Sequence, residues 1–184
     1  MTQRTVLQPV RVSFDIDDTL VCGPDTPTEQ CVPLWRRRRY SEPLRHGTRA
    51  LMLALIDRGC RIWIYTTSRR SRPYLEGWFK AIGVKLEGVV NLCHHELIVG
   101  HRGPSKCPPA FGIHLHVDDS HGLAMEGELH GFRVVVVSPH DERWAAQVLQ
   151  SVDLSLAPRV PKRTVIATAA VVPAPASVLA KLPT

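Results

Sequence analysis

Cysteines are few in this sequence and form no pattern. The five, at Cys22, Cys31, Cys60, Cys93 and Cys107, are odd in number and scattered, which argues against a disulfide framework and for a reducing compartment. Long apolar runs are missing as well, none approaching the roughly 20 residues that a bilayer-spanning helix needs. A secretory leader is not apparent: residues 1–8 are polar, and the apolar run from Val10 is broken by Arg11 and Asp15. A cytoplasmic protein without membrane contact is the expectation. No internal repeat is visible. Acidic residues stop at Asp153, so the last stretch of chain carries only basic and neutral side chains.

What is present suits one ordinary globular domain. A chain of 184 residues, 44% hydrophobic and 22% charged, is long enough to bury a core of its own. The net charge of +6 favours anionic partners, and Arg36–Arg39 form an unbroken basic run with Arg45 and Arg49 close behind. Apolar runs predict strands over residues 10–14, 61–65, 88–92, 113–117 and 132–137. Helices are expected between them over 48–58, 73–82, 121–130 and 141–152, with a short turn of helix near Pro108 and Pro109. Alternating strands and helices imply an α/β fold, a Rossmann-like three-layer sandwich around a mostly parallel five-stranded sheet. Residues 1–156 make up that domain. Residues 21–47, rich in Pro and Arg, read as a flap over the strand ends in place of a large cap. Residues 157–184, rich in Pro and Ala, read as a flexible tail, with an extra edge strand over 164–172 left open.

In such sheets ligands gather at the carboxyl ends of the strands, and polar residues gather there in this chain. The first strand runs into Asp15, Asp17 and Thr19, and period-two alternation would point Asp15 and Asp17 the same way. Two crowded carboxylates repel unless a cation or a shared proton compensates, which suggests a hard divalent metal, a nucleophile, or both. The second strand ends in Thr66, with Thr67 and Ser68 beside it. These hydroxyls either donate to a phosphoryl oxygen or cap the next helix. Lys106 precedes the short helix that leads into the fourth strand, with Arg102 and Lys85 as the other candidates for a lone cation there. The fourth strand delivers a second carboxylate pair, Asp118 and Asp119.

In this order, Asp-x-Asp-x-Thr, Thr, Lys and Asp-Asp, the segments resemble the four motifs of the haloacid dehalogenase superfamily over roughly residues 10–152. Receiver domains use a similar set but place the lysine last. The resemblance implies a magnesium-dependent phosphoric monoester hydrolase. By it, Asp15 attacks phosphorus and becomes an aspartyl-phosphate, Asp17 serves as general acid and then base, and Thr66 and Lys106 steady the phosphoryl oxygens. It also implies Mg2+ held by the Asp15 and Asp118 side chains and the Asp17 backbone carbonyl, with Asp119 holding a metal-bound water or orienting its neighbour. Asp17 separates this chain from the dehalogenases, which lack a second acid.

By the same resemblance, nearly capless relatives often act on macromolecules or borrow a lid from another subunit, so the phosphorylated substrate is either a small molecule or a polymer, and an oligomer fits. The alternative is a catalytically weak phosphate-pocket binding protein that contacts nucleic acid through Arg36, Arg37, Arg38 and Arg39, with Trp35 and Tyr40 available for stacking. Cys93, His94, His95, His101 and Cys107 fit no tight zinc spacing and read as ordinary polar packing. His114 and His116, two apart on one strand, are expected to share a face beneath a helix. Phe14, Trp63 and Val135 are expected in the core.

Overall fold

Val12 and Phe14, Ile62 and Ile64, and Leu115 and Val117 are all buried, as strands covered by helices require. They belong to β1 (Arg11–Phe14), β4 (Arg61–Tyr65) and β6 (Leu115–Asp118), which β5 (Gly88–Val90) and β7 (Val134–Val136) extend into a five-stranded sheet. The computed structural model describes residues 9–156; the tail expected over 157–184, with its optional edge strand, lies outside them. The strand order is β5-β4-β1-β6-β7 with every pairing parallel. The architecture is the α/β Rossmann-like sheet flanked by helices that the alternation predicted.

Helices α1 (Thr48–Asp57), α2 (Arg72–Ala81) and α5 (Trp144–Leu156) supply Leu51, Leu55, Leu75, Phe79, Val148 and Val152 to the larger core, against the sheet face that carries Phe14 and Ile64. Helices α3 (Leu92–Ile98) and α4 (His121–His130) complete the set. Tyr65, Val90 and Ile113 form a smaller core, with Trp63 and Phe111 packed on it. Trp63 is half-buried rather than central: it lies across Gly88, where an added Cβ would stand 2.3 Å from the indole, and Arg11 lies over its ring. Phe14 and Val135 are core residues as expected. No helix among the described residues is long and apolar enough to cross a membrane.

The insertion has more structure than its sequence suggested. β2 (Thr28–Glu29) and β3 (Leu44–Arg45) pair antiparallel and bracket a 3-10 turn at Leu34–Arg36. Val32, Tyr40 and Leu44 are buried in the main core. Arg45, which follows the basic run, is buried. It donates to the Ser138 and Asp141 carbonyls at 2.7 Å and lies 4.5 Å from the Trp144 ring. α1 begins at Gly47 without a side-chain cap of its own. Glu29 of β2 takes that role, accepting from the Gly47 and Arg49 amides, which are otherwise unpaired in a helix's first turn. The base of the flap is therefore tied into the domain.

Candidate active site

β1 is central, and the chain leaves it in opposite directions. β4 and β5 lie on one side, and the next strand, β6, returns to the other. Such a switch point opens a crevice at the carboxyl ends of the diverging strands. Asp15 follows β1 and Asp118 closes β6, so adjacent strands deliver both into that crevice. Carboxylate oxygens of Asp15, Asp118 and Asp119 all lie within 4.8 Å of one another.

Lys106 sits between the first two, its Nζ 2.9 Å from Asp15 Oδ1 and 2.5 Å from Asp118 Oδ2. All three residues are buried. The position of Lys106 has identifiable causes. The Cys107 amide donates to the Tyr65 hydroxyl at 2.8 Å, and that hydroxyl is 2.6 Å from His95 Nδ1. One residue earlier, the Ser105 amide and hydroxyl both donate to Glu126 of α4. The lysine loop is held on both flanks.

Beneath this group lies a residue that sequence reading placed elsewhere. His116 is completely buried on the sheet, with Nε2 3.0 Å from Asp118 Oδ2 and Nδ1 2.7 Å from the Ser13 hydroxyl. One tautomer satisfies both contacts: Nε2–H donates to the carboxylate, and Nδ1 accepts from Ser13. Burial, reinforced by the charge of Lys106, pushes the imidazole pKa down to about 4, so the ring is neutral at pH 7. His114 is exposed and accepts the Arg11 amide. His114 lies just before β6 and only His116 is within it, where the site, not a helix, claims it.

Burial would raise the Asp118 carboxyl, but the hydrogen bonds from His116 and Lys106 win and hold it below the usual carboxylate range. Asp15 goes the other way: burial pushes its pKa up to about 6, opposed by Lys106 and helped by the charge of Asp118. Although Lys106 is near, its geometry leaves Asp15 Oδ1 without a hydrogen-bond partner. Asp119 is half-buried and receives the Thr19 hydroxyl at 3.4 Å; burial and the adjacent Asp118 raise its pKa.

β1 ends at Phe14, so the period-two alternation behind the expectation for Asp15 and Asp17 does not reach them. The chain turns tightly beyond it, with the Leu20 and Val21 amides both donating to the Ile16 carbonyl. Asp18 adopts φ +59°, a left-handed conformation that Asp tolerates better than most residues. Asp17 ends up exposed and outside the carboxylate cluster, its Oδ2 2.8 Å from Arg70. Arg70 also pairs with Glu42 of the flap at 2.6 Å, and the Tyr74 hydroxyl donates to Glu42 as well.

Thr66 is buried at the end of β4, the strand beside β1. Its oxygen accepts the Ser68 amide, which leaves its hydroxyl proton free to donate outward. Helix capping belongs instead to Ser71, which receives the Tyr74 amide. The Arg36–Arg39 run lies on the flap, with Arg37, Arg38 and Arg39 exposed. Of the zinc candidates, His95 is engaged with Tyr65.

No family model matches the chain, and no curated protein matches it. Among solved structures it is similar to one from Porphyromonas gingivalis described as a HAD-like family hydrolase, at 11% identity and a TM-score of 0.44, covering 82% of this chain and 99% of that one. It is also similar to one from Vibrio cholerae described as a 3-deoxy-D-manno-octulosonate 8-phosphate phosphatase, at 18% identity and a TM-score of 0.40, covering 79% of this chain and 86% of that one. At that distance the chemistry rests on this chain's own residues.

Proposed function

We propose that this chain is a phosphatase of the haloacid dehalogenase type that hydrolyses a phosphate monoester through an aspartyl-phosphate on Asp15. The observation that carries the reading is the convergence of Asp15, Asp118 and Asp119 around Lys106 at the switch point of a parallel sheet. The residues suit magnesium, an ion that takes oxygen ligands and few carboxylates: buried Asp15 Oδ1 has Lys106 Nζ 2.9 Å away but no well-aligned hydrogen bond, and two further carboxylates stand beside it. Asp15 and Asp118 would hold the ion, with Asp119 orienting one of them or a bound water. When bound, it offsets the repulsion between phosphate and carboxylate.

The chain's own groups do the rest. Asp15, fixed at the strand end, attacks phosphorus. Its raised pKa of about 6 leaves it mainly ionised above neutrality. Asp17 hands a proton to the leaving oxygen and then takes one from the water that hydrolyses the intermediate. Lys106 and Thr66 stabilise charge on the non-bridging oxygens, where phosphoryl transfer gains most. The neutral His116 keeps Asp118 ionised and aimed. The test is phosphate release from 4-nitrophenyl phosphate with and without magnesium. Magnesium-dependent turnover that Asp15→Asn reduces by at least ~10³-fold supports the reading; equal turnover by the variant refutes it.

One observation favours a second reading, in which the pocket binds phosphate with little turnover and the flap grips single-stranded nucleic acid. Trp35 is 74% exposed, the Arg36 guanidinium lies 4.3 Å from its ring, and Arg37–Arg39 follow it into solvent. An exposed aromatic beside cations suits base stacking and backbone charge. That reading requires binding that weakens steeply with salt and survives Asp15→Asn. Affinity that tracks Asp15 instead returns the case to the enzyme.

A further inference from the structure

Arg70 occupies a place that the reaction as described leaves unexplained. Its Nη1 donates to Asp17 Oδ2 at 2.8 Å while Nη2 donates to Glu42 Oε1 at 2.6 Å, with Nε 3.4 Å from the second Glu42 oxygen. Glu42 in turn accepts from Tyr74, whose ring packs against Tyr40 of the flap. The loop between β4 and α2 thus joins the flap to the residue that must protonate the leaving group. In this arrangement Asp17 Oδ2 is occupied as an acceptor. Asp17 and Glu42 together push the guanidinium's pKa further up, so Arg70 stays charged and cannot release Asp17 by losing a proton. A second anion offers it an exchange of partners.

We infer that Arg70 is a positioning and specificity residue that passes from Asp17 and Glu42 to a second anionic group of the substrate, close to the ester oxygen. This rests on the phosphatase reading and narrows it to phosphate esters bearing such a group. A carboxylate is the matching chemistry, since both present partners are carboxylates and a guanidinium reads that group with paired N–H donors. Arg70 is accessible for the exchange, with its side chain 20% exposed and Asp17 and Glu42 at 53% and 33%. Such partly wet pairs are held weakly enough to trade. When Arg70 leaves, Asp17 Oδ2 and Glu42 both lose its donors, so recognition of that anion is coupled to the leaving-group residue and to the flap.

Calorimetric titration of the magnesium-loaded protein with 3-phosphonopropionate and with propylphosphonate tests this. The two probes match in length, differ in one carboxylate and contain no ester to hydrolyse. Wild type should bind the carboxylated probe about tenfold or more tightly, the order of one charge-assisted pair. Arg70→Gln should bind both alike, while Arg70→Lys should recover only part of the preference. Glu42→Gln removes a competing partner and should widen it, a gain that a purely structural Arg70 would not produce. Equal affinity in the wild type overturns the assignment, as does a preference that persists in Arg70→Gln, full recovery by Lys, or a preference narrowed by Glu42→Gln. If neither probe binds, the phosphate site itself fails and takes this inference with it. Equal binding of both defeats the role of Arg70 alone.

Discussion

Two charged networks meet at this site, and they are built differently. The floor, Ser13–His116–Asp118–Lys106–Asp15, is buried and hangs from β1, β6 and the held lysine loop. The rim, Asp17–Arg70–Glu42–Tyr74, is part-exposed and lies on a loop, the flap and the first turn of α2. Burial makes the floor's cation costly to lose, since the carboxylates it leaves uncompensated cannot turn to water. In the rim, solvent can replace any partner. The floor is thus suited to hold a fixed geometry and the rim to change one.

Removing the central cation breaks the comparison most severely. Lys106→Met leaves Asp15 and Asp118 facing each other without it, and should cost about 3–5 kcal/mol of stability, read by urea unfolding of metal-free protein. A loss below about 1 kcal/mol would mean that water already reaches the floor.

Asp15→Asn should have the opposite sign. A carboxyl whose pKa is raised from 3.8 to about 6 on folding costs stability once the pH has risen through that window, because the folded state binds its proton longer than the unfolded chain. Without metal at pH 7 the substitution should therefore stabilise by about 3 kcal/mol, with the gain fading towards pH 4. Magnesium should reverse the order by favouring the charged side chain. His116 supplies the contrasting slope. The buried ring, lowered from 6.5 to about 4, refuses a proton that the unfolded chain accepts, so stability rises with pH across that range. In the wild type the two slopes oppose each other. Asp15→Asn should expose the second one, as a steeper rise in melting temperature between pH 4 and 6.5 than in wild type.

His116→Phe removes the donor to Asp118 and the acceptor for Ser13 together, leaving both buried. A loss of about 2–3 kcal/mol is expected, and Ser13→Ala in the same background should return part of it. The smallest effect belongs to the rim. Arg70→Gln should change stability by less than about 1 kcal/mol; a loss comparable with that of Lys106→Met would erase the distinction between the two networks.

The polar strand ends of the site were legible in the sequence because apolar runs stop abruptly at Asp15, Thr66 and Asp118, where a parallel sheet puts its ligands. α4 lies over the expected residues because Ser120 caps it and Gly131 closes it. Residues acting across the fold gave no local sign. Tyr65 meets Cys107, and Arg70 meets Glu42 and Asp17, at separations of 28–53 residues. His116 did carry a signal, since its two-residue offset from Asp118 puts both on one side of β6, but a buried histidine reads more simply as packing. The different surroundings of Asp15 and Asp17 depend on where β1 ends and on the turn at Asp18. α3 was hidden by taking Leu92 as the end of a strand, although Asn91, which accepts the His94 amide, is an ordinary helix cap.

The central claim is that Asp15 is a phosphoryl acceptor in a magnesium-dependent pocket, and beryllofluoride tests it without knowledge of the substrate. Fluorine NMR of the wild type with beryllofluoride should show bound resonances that require magnesium and vanish in Asp15→Asn. Resonances that persist in that variant, or a folded, magnesium-saturated wild type that binds none, would contradict the account.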